Sequence, residues 1–314
     1  MKSWILSGVL AGAILGATGQ MAARAETLVS GDFSSDPKGG SRFVFNGDGT
    51  LTAQVNTELA TEKLLFGLGS GRTLTELDTF KVTARLKITN LVADPNGFAQ
   101  ISLGLVNSGT TGNDRSGGAS GGSSMGDAFD VVTFDYFANV TPFGGPALQN
   151  SIITSNTGSD SVFSNIVASF GTEIGLDNTG ESPLPTEEFL TVQYVYDAAT
   201  RTTTLKVLNE GGAALAINMV GKSNLVGGLD GDVTTIQTVL PGGRGFTVDA
   251  FAIPLWTDSW GAFDFNLGTF SPQSLAADVI FDSFAVESIP EPATVSVLGL
   301  AVVALIARRR SQQR

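Results

Sequence analysis

Trp256, Asp258 and Trp260, in the run "LWTDSWGAFDF", place two flat indoles on either side of a carboxylate. Stacking on a pyranose ring while hydrogen-bonding its hydroxyls uses this set of groups, which makes the run a candidate sugar-binding patch, the alternative being that at least one tryptophan closes the core at the sheet edge. Few other chemistries are open. The chain has no histidine and no cysteine, which removes the Ser-His and Cys-His nucleophile pairs and most zinc sites. A glycosidase needs only two carboxylates facing one cleft. The conspicuous pair, Glu187 and Glu188, is adjacent in sequence, so in a strand the two would face opposite ways. They read as a solvated turn, and the chain is not expected to be an enzyme.

The elements that must carry these residues are strands. Apolar and polar residues alternate with period two between glycine-rich turns in "RFVFNG" from Arg42, "TLTAQV" from Thr50, "FKVTARLKIT" from Phe80, "FAQISLGLV" from Phe98 and "FDVVTFDYF" from Phe129. The pattern returns in "FLTVQYVYD" from Phe189, "TTTLKVL" from Thr202, "ALAINMV" from Ala214, "FTVDAFAIPLW" from Phe246 and "ADVIFDSFAVES" from Ala277. No internal segment carries a helical period. About a dozen strands without a repeat of fixed length predict one antiparallel β-sandwich over residues 26–289 rather than a propeller or solenoid. Residues 189–197 and 202–208, joined by Ala198 to Arg201, predict a hairpin. Asn107 to Gly126 holds seven glycines and almost nothing apolar, which predicts a mobile loop. Gly171 to Pro185 predicts a second long connection.

The two ends read differently from the middle. Lys2 precedes an apolar stretch from Trp4 to Ala17, and Ala23-Arg24-Ala25 supplies a small-x-small cleavage site. Residues 1–25 are therefore expected to be a signal peptide, removed by signal peptidase to leave Glu26 at the mature N-terminus. Ala293 to Ala307 is apolar apart from Thr294 and Ser296, and Arg308, Arg309 and Arg310 follow. As a helix this run would reach about 22 Å, slightly short of a ~30 Å hydrocarbon core, and flanking residues would fill the gap. The arginines would stay cytoplasmic, which leaves residues 26–289 outside the inner membrane. Without the two ends the chain retains 12 basic and 29 acidic residues. That balance argues against nucleic-acid binding. The absence of cysteine leaves stability to a sizeable hydrophobic core or a bound metal.

Pro290-Glu291-Pro292, one short hydrophobic helix and a terminal arginine cluster resemble the PEP-CTERM sorting signal of bacterial exported proteins over residues 290–314. The resemblance implies recognition by an exosortase, a membrane-embedded cysteine transpeptidase. It also implies transfer of the mature protein to the cell surface or extracellular matrix of a Gram-negative bacterium that makes exopolysaccharide.

The strand order resembles the concanavalin-like jelly roll of legume lectins, laminin-G modules and several glucanases, on "TVQYVYDAATRTTTLKVL" and the closing "ADVIFDSFAVES". Val132-Thr133-Phe134-Asp135-Tyr136-Phe137-Ala138-Asn139 has the form of the legume-lectin strand V-x-F-D-x-Y-x-N. On that resemblance Asp135 and Asn139 would be side-chain ligands of Ca2+ and Phe137 a carbonyl ligand, with alternation placing all three on one face. The pattern departs from the lectins at Thr133, where they carry a glutamate, and at Gly144, where a further aspartate is expected. The E-x-D-x-x-E strand of the related glucanases is missing as well. Two functions from different classes follow. One is a structural or adhesive protein of the exopolysaccharide matrix, and the other is a lectin-like carbohydrate-binding module assisted by calcium.

Overall fold

In Leu190–Asp197 the period-two pattern passes directly into structure. Leu190, Val192, Tyr194 and Tyr196 are buried, and the residues between them are half-buried. The segment pairs with Thr202–Leu208 from Thr191↔Leu208 through Asp197↔Thr202, as the hairpin reading expects. Turn chemistry closes it: the Asp197 carboxylate accepts from the Ala199 N–H (3.0 Å) and the Thr200 hydroxyl (2.8 Å), and Arg201 adopts φ +55°.

The computed structural model describes residues 25–37, 40–93, 100–112, 130–138, 147–154, 166–167, 172–173, 184–218, 232–240, 242–256, 262–264, 269–271 and 275–290. Thr27–Glu287 forms one compact unit. Strands are numbered in chain order. The first sheet runs β16 (Ile236–Val239), β13 (Thr202–Leu208), β12 (Leu190–Asp197), β6 (Phe80–Ala93), β21 (Leu275–Ser288), β3 (Leu51–Asn56) and β2 (Phe43–Phe45), with β1 (Glu26–Gly31) also on β21. The second runs β15 (Asp232–Val233), β14 (Ile217–Asn218), β11 (Thr172–Glu173), β9 (Ala147–Ile153), β8 (Val131–Phe137), β7 (Gln100–Val106), β18 (Ala250–Leu255) and β4 (Glu62–Gly67), with β10 (Ile166–Val167) on β9. Two short pairs complete the set, β5 (Leu74–Thr75) with β17 (Thr247–Val248) and β19 (Ala262–Asp264) with β20 (Thr269–Ser271). The pairings are antiparallel, as in β12 with β6 and β7 with β8.

Between the sheets lies one apolar core. Leu51, Phe80, Val82, Leu86, Tyr196, Leu205, Val279 and Phe281 enter it from the first sheet, and Leu103, Leu105, Phe134, Leu148, Phe251 and Ile253 from the second. The chain is thus all-β, an antiparallel sandwich. Among the described residues no helix is long and apolar enough to cross a membrane, and Ala293 to Ala307 lies outside those residues.

Three sequence expectations need correction. The connection Gly171 to Pro185 contains β11, which pairs with β9 and β14 and is too short to show a period. Of "ALAINMV" the described part forms a strand at Ile217 and Asn218, Ala214 instead joins Leu208 in a single bridge beside the Gly211-Gly212 turn, and Met219 and Val220 lie outside the described residues. The glycine-rich stretch from Asn107 begins in a fixed turn. The Asn107 amide oxygen accepts from the Gly109 and Thr110 N–H groups, and the Asp249 carboxylate accepts from the Ser108 N–H and hydroxyl at 2.7 and 2.8 Å. Residues 113–126 of that stretch lie outside the described residues.

Candidate functional site

Strand β8 has two faces of different character. Val132, Phe134 and Tyr136 point between the sheets, so alternation directs Val131, Thr133, Asp135 and Phe137 to the other side of the second sheet. Asp135, which sequence reading made a metal ligand, lies on that far side with none of its surface exposed. Register supplies its neighbours. Ser102 on β7 is directly opposite Asp135, and Ser151 on β9 is directly opposite Thr133, one diagonal step away. Oδ1 of Asp135 accepts from the Ser102 hydroxyl at 2.6 Å, and Oδ2 accepts from the hydroxyls of Ser151 (2.6 Å) and Thr133 (3.1 Å). All three donors are buried.

A second small apolar cluster lies beside this polar one: Val106, Val131, Ile153, Ala250 and Ala252. The strands approach closely where side chains are small. Gly104 adopts φ +150°, and a Cβ there would come within 2.3 Å of the Val132 carbonyl oxygen, so the contact between β7 and β8 requires glycine. Through the sheet, the Tyr194 hydroxyl of β12 donates to the Ser151 carbonyl at 3.4 Å. Burial holds its phenol well above the ordinary tyrosine range; a hydrogen bond with Thr203 opposes this, and the Asp135 charge adds to it.

The described residues here do not fit calcium. They supply one carboxylate, already engaged by three hydroxyls, whereas Ca2+ takes six to eight oxygens, usually from several carboxylates. Among the described residues no three carboxylates are grouped to hold a metal ion. Phe137 is half-buried at the end of β8, and Asn139 lies outside the described residues.

Of the three residues read as a sugar patch, Trp256 is described, and Asp258 and Trp260 lie outside the described residues. Trp256 follows β18 directly and is 2% exposed, so in this conformation its ring presents no free face. Its indole N–H is buried and has no acceptor. The Lys63 ammonium, on the neighbouring β4, lies 6.0 Å from the ring centroid and donates to the carbonyls of Thr111 (2.8 Å) and Gly112 (2.7 Å). Lys63 thereby ties the start of the glycine-rich stretch to the second sheet, next to Trp256. Pro254 sits between them, opposite Lys63 and beyond Ala252, the last residue of β18 registered on β7, where a missing N–H costs no ladder bond.

The signal-cleavage residue Ala25 and the mature start Glu26 are exposed, and Ala23 lies outside the described residues. Pro290 is half-buried two residues after β21, and Glu291, Pro292, Arg308, Arg309 and Arg310 lie outside the described residues. Glu187 is exposed in a turn with φ +65°, its N–H bonded to the Ile88 carbonyl.

Sequence reading missed Ser102, Ser151 and Lys63. Ser102 did leave a trace, as a lone hydroxyl inside the apolar run "ISLGLV", whereas Ser151, between Asn150 and Ile152, left none. Lys63 left none, because its partners are backbone carbonyls far along the chain.

No family model matches the sequence, and no curated protein matches it. Among solved structures, peanut lectin in complex with a nine-residue peptide is 15% identical, with 84% of this chain and 98% of that one covered at a TM-score of 0.39. The Lotus tetragonolobus seed lectin is 11% identical, covering 80% and 92% at 0.39. The CBM2 module of the evolved Dit of Lactobacillus casei BL23 phage J-1 is 9% identical, covering 85% and 98% at 0.42.

Proposed function

We propose that this chain is an exported, non-catalytic β-sandwich displayed at the cell surface or in the exopolysaccharide matrix after processing at its C-terminal sorting signal. One observation carries the reading. The last buried side chain of β21 is Val286, the strand ends at Ser288, and Pro290-Glu291-Pro292 follows at once. A transpeptidase of the exosortase kind would therefore act beyond the last described core residue of the sandwich. The predicted signal peptide ends similarly, directly before β1. Intact-mass analysis of surface material from the native host tests the proposal. A mature chain beginning at Glu26 and lacking Arg308 to Arg310 is the expected result, and surface protein retaining the arginine tail would overturn it.

A lectin-like role on the cell's own polysaccharide is the second reading. Its support is the buried, unpartnered Trp256 N–H, two residues before Asp258 and four before Trp260. A glycan array read with and without calcium tests it. Retention that is lost in Trp260→Ala and kept in Asp135→Asn would favour this reading, and an array without any retained glycan would leave the structural role alone.

A further inference from the structure

The last strand of the sandwich is also the one on which most of it depends. Strand β21 lies inside the first sheet, between β6 and β3, and is the only partner of β1 among the described strands. It buries Leu275, Ala277, Val279, Phe281, Phe284 and Val286 to 5% exposure or less. Phe284 joins the two sheets. Its ring stacks on Phe251 of β18 at 4.2 Å and 8°, lies 4.6 Å from Phe66 of β4, and packs 5.9 Å from Phe33. Phe33 follows β1 at φ +48°, a conformation that an aromatic residue seldom adopts unless its surroundings hold it. A Cβ at Gly31 would meet the Phe284 ring at 2.3 Å.

Polar groups follow the same route. Thr57 and Leu275 exchange two hydrogen bonds, N–H to carbonyl at 3.1 Å and N–H to Oγ1 at 3.0 Å. Asn90 donates to the Asp278 carboxylate at 2.7 Å, Arg85 pairs with Asp282, and Lys81 with Glu287 at 3.6 Å. Without residues 275–286 the first sheet separates into β16-β13-β12-β6 and β3-β2, β1 has nothing to pair with, and Phe251, Phe66 and Phe33 lose their common neighbour.

We propose that β21 is the folding latch of the domain: residues 26–274 have no stable native state, and the sandwich closes only when residues 275–286 arrive. This strand leaves the ribosome and crosses the membrane last of the described strands. The chain therefore stays unfolded, the form a translocation channel accepts, until the residues just ahead of Pro290 have been delivered. Closure brings all of its apolar contacts into the sheet at once, because the partners of β21 lie from β1 through β6 in sequence.

Native-state hydrogen exchange on residues 26–289, which include every described core residue, tests this in the intact domain. With rising denaturant, amides of β21, β6 and β3 should converge on one opening free energy, that of global unfolding. Exchange of β21 through a lower-energy opening, with β6 and β12 still protected, would overturn the proposal. In a second arm, residues 26–274 diluted from denaturant should lack near-ultraviolet dichroism and a cooperative melt, whether the product is soluble or aggregated. A synthetic peptide of residues 275–288 present during dilution should restore both, and the same peptide carrying Phe281→Ala and Phe284→Ala should not. A native-like melt of residues 26–274 alone would also overturn it. Where the peptide does not rescue, the exchange result decides.

Discussion

Replacing Asp135 separates a structural role from a metal-binding one, because the two predict different orders among its variants. Asp135→Val removes a fully buried carboxylate and leaves the hydroxyls of Ser102, Ser151 and Thr133 buried without their acceptor. Hydrogen bonds to a charged group contribute about 1.5–3 kcal/mol each, and an unsatisfied buried hydroxyl costs about 1–3 kcal/mol. Some of the three will turn to other acceptors, so the sum is not additive, and a loss of about 3–5 kcal/mol is expected. That is a large part of the roughly 5–15 kcal/mol typical of a native domain. Asp135→Asn keeps one acceptor oxygen, and a hydroxyl can rotate to accept from the new amide, so about 1–2 kcal/mol is expected. Adding Ser151→Ala to Asp135→Val should recover part of the loss, since it removes one of the hydroxyls that has lost the carboxylate. Guanidinium unfolding followed by tryptophan fluorescence, with 1 mM calcium and with chelator, measures all of these. A calcium ion held at Asp135 would instead stabilise the parent by about 2.7 kcal/mol at a hundredfold excess over Kd, and Asp135→Asn would abolish that gain. An Asp135→Val cost below about 1 kcal/mol, or a calcium response that disappears in Asp135→Asn, would refute the reasoning.

Gly104→Ala should cost about 2–3 kcal/mol in the same assay, since the new methyl meets the Val132 carbonyl oxygen at 2.3 Å and neither backbone can withdraw without breaking the β7–β8 ladder; a neutral result would mean that β7 takes another path. All three tyrosines are buried, with burial as the leading cause of their raised pKa values: Tyr136 and Tyr196 are pushed up to about 12 and Tyr194 well above 10. Above pH 10 the unfolded chain therefore releases phenolic protons that the native state keeps, and stability falls through pH 10–12. Phenolate absorbance at 295 nm should appear in one step with loss of near-ultraviolet dichroism, and a smooth titration centred near pH 10 in a still-folded protein would count against the buried placement.

The hairpin β12–β13 was legible because alternation and turn chemistry are both local: every second residue is apolar, and Asp197 and Thr200 close the turn. Parity placed Thr133, Asp135 and Phe137 together on one face of β8 correctly, but could not tell that this face is buried, since that depends on segments distant in sequence. Strand β9 escaped notice for a different reason. Its core-facing positions are Leu148, Asn150 and Ile152, and the asparagine interrupts the apolar pattern. Across the core the Asn150 amide donates to the Ile236 carbonyl at 3.3 Å, and the Thr238 hydroxyl donates to the Asn150 carbonyl at 3.0 Å. A residue that scores against a strand is thus one that ties the two sheets together. Trp256 was picked out for its chemistry, but its burial follows from β4 and Lys63, which are nearly two hundred residues earlier in the chain.

The polar residues also specify the register of the second sheet. A slip of β8 by one residue would turn Asp135 into the apolar layer between the sheets and carry Phe134 and Tyr136 to the opposite side. The layer there is mostly apolar, with Leu103, Leu105 and Leu148 around Phe134 and Tyr136, and the amide of its polar member Asn150 is already bonded to the Ile236 carbonyl. In the observed register the same carboxylate meets a donor from the strand on each side and a third from its own. An apolar residue at position 135 would be compatible with both registers, but an aspartate is compatible with one.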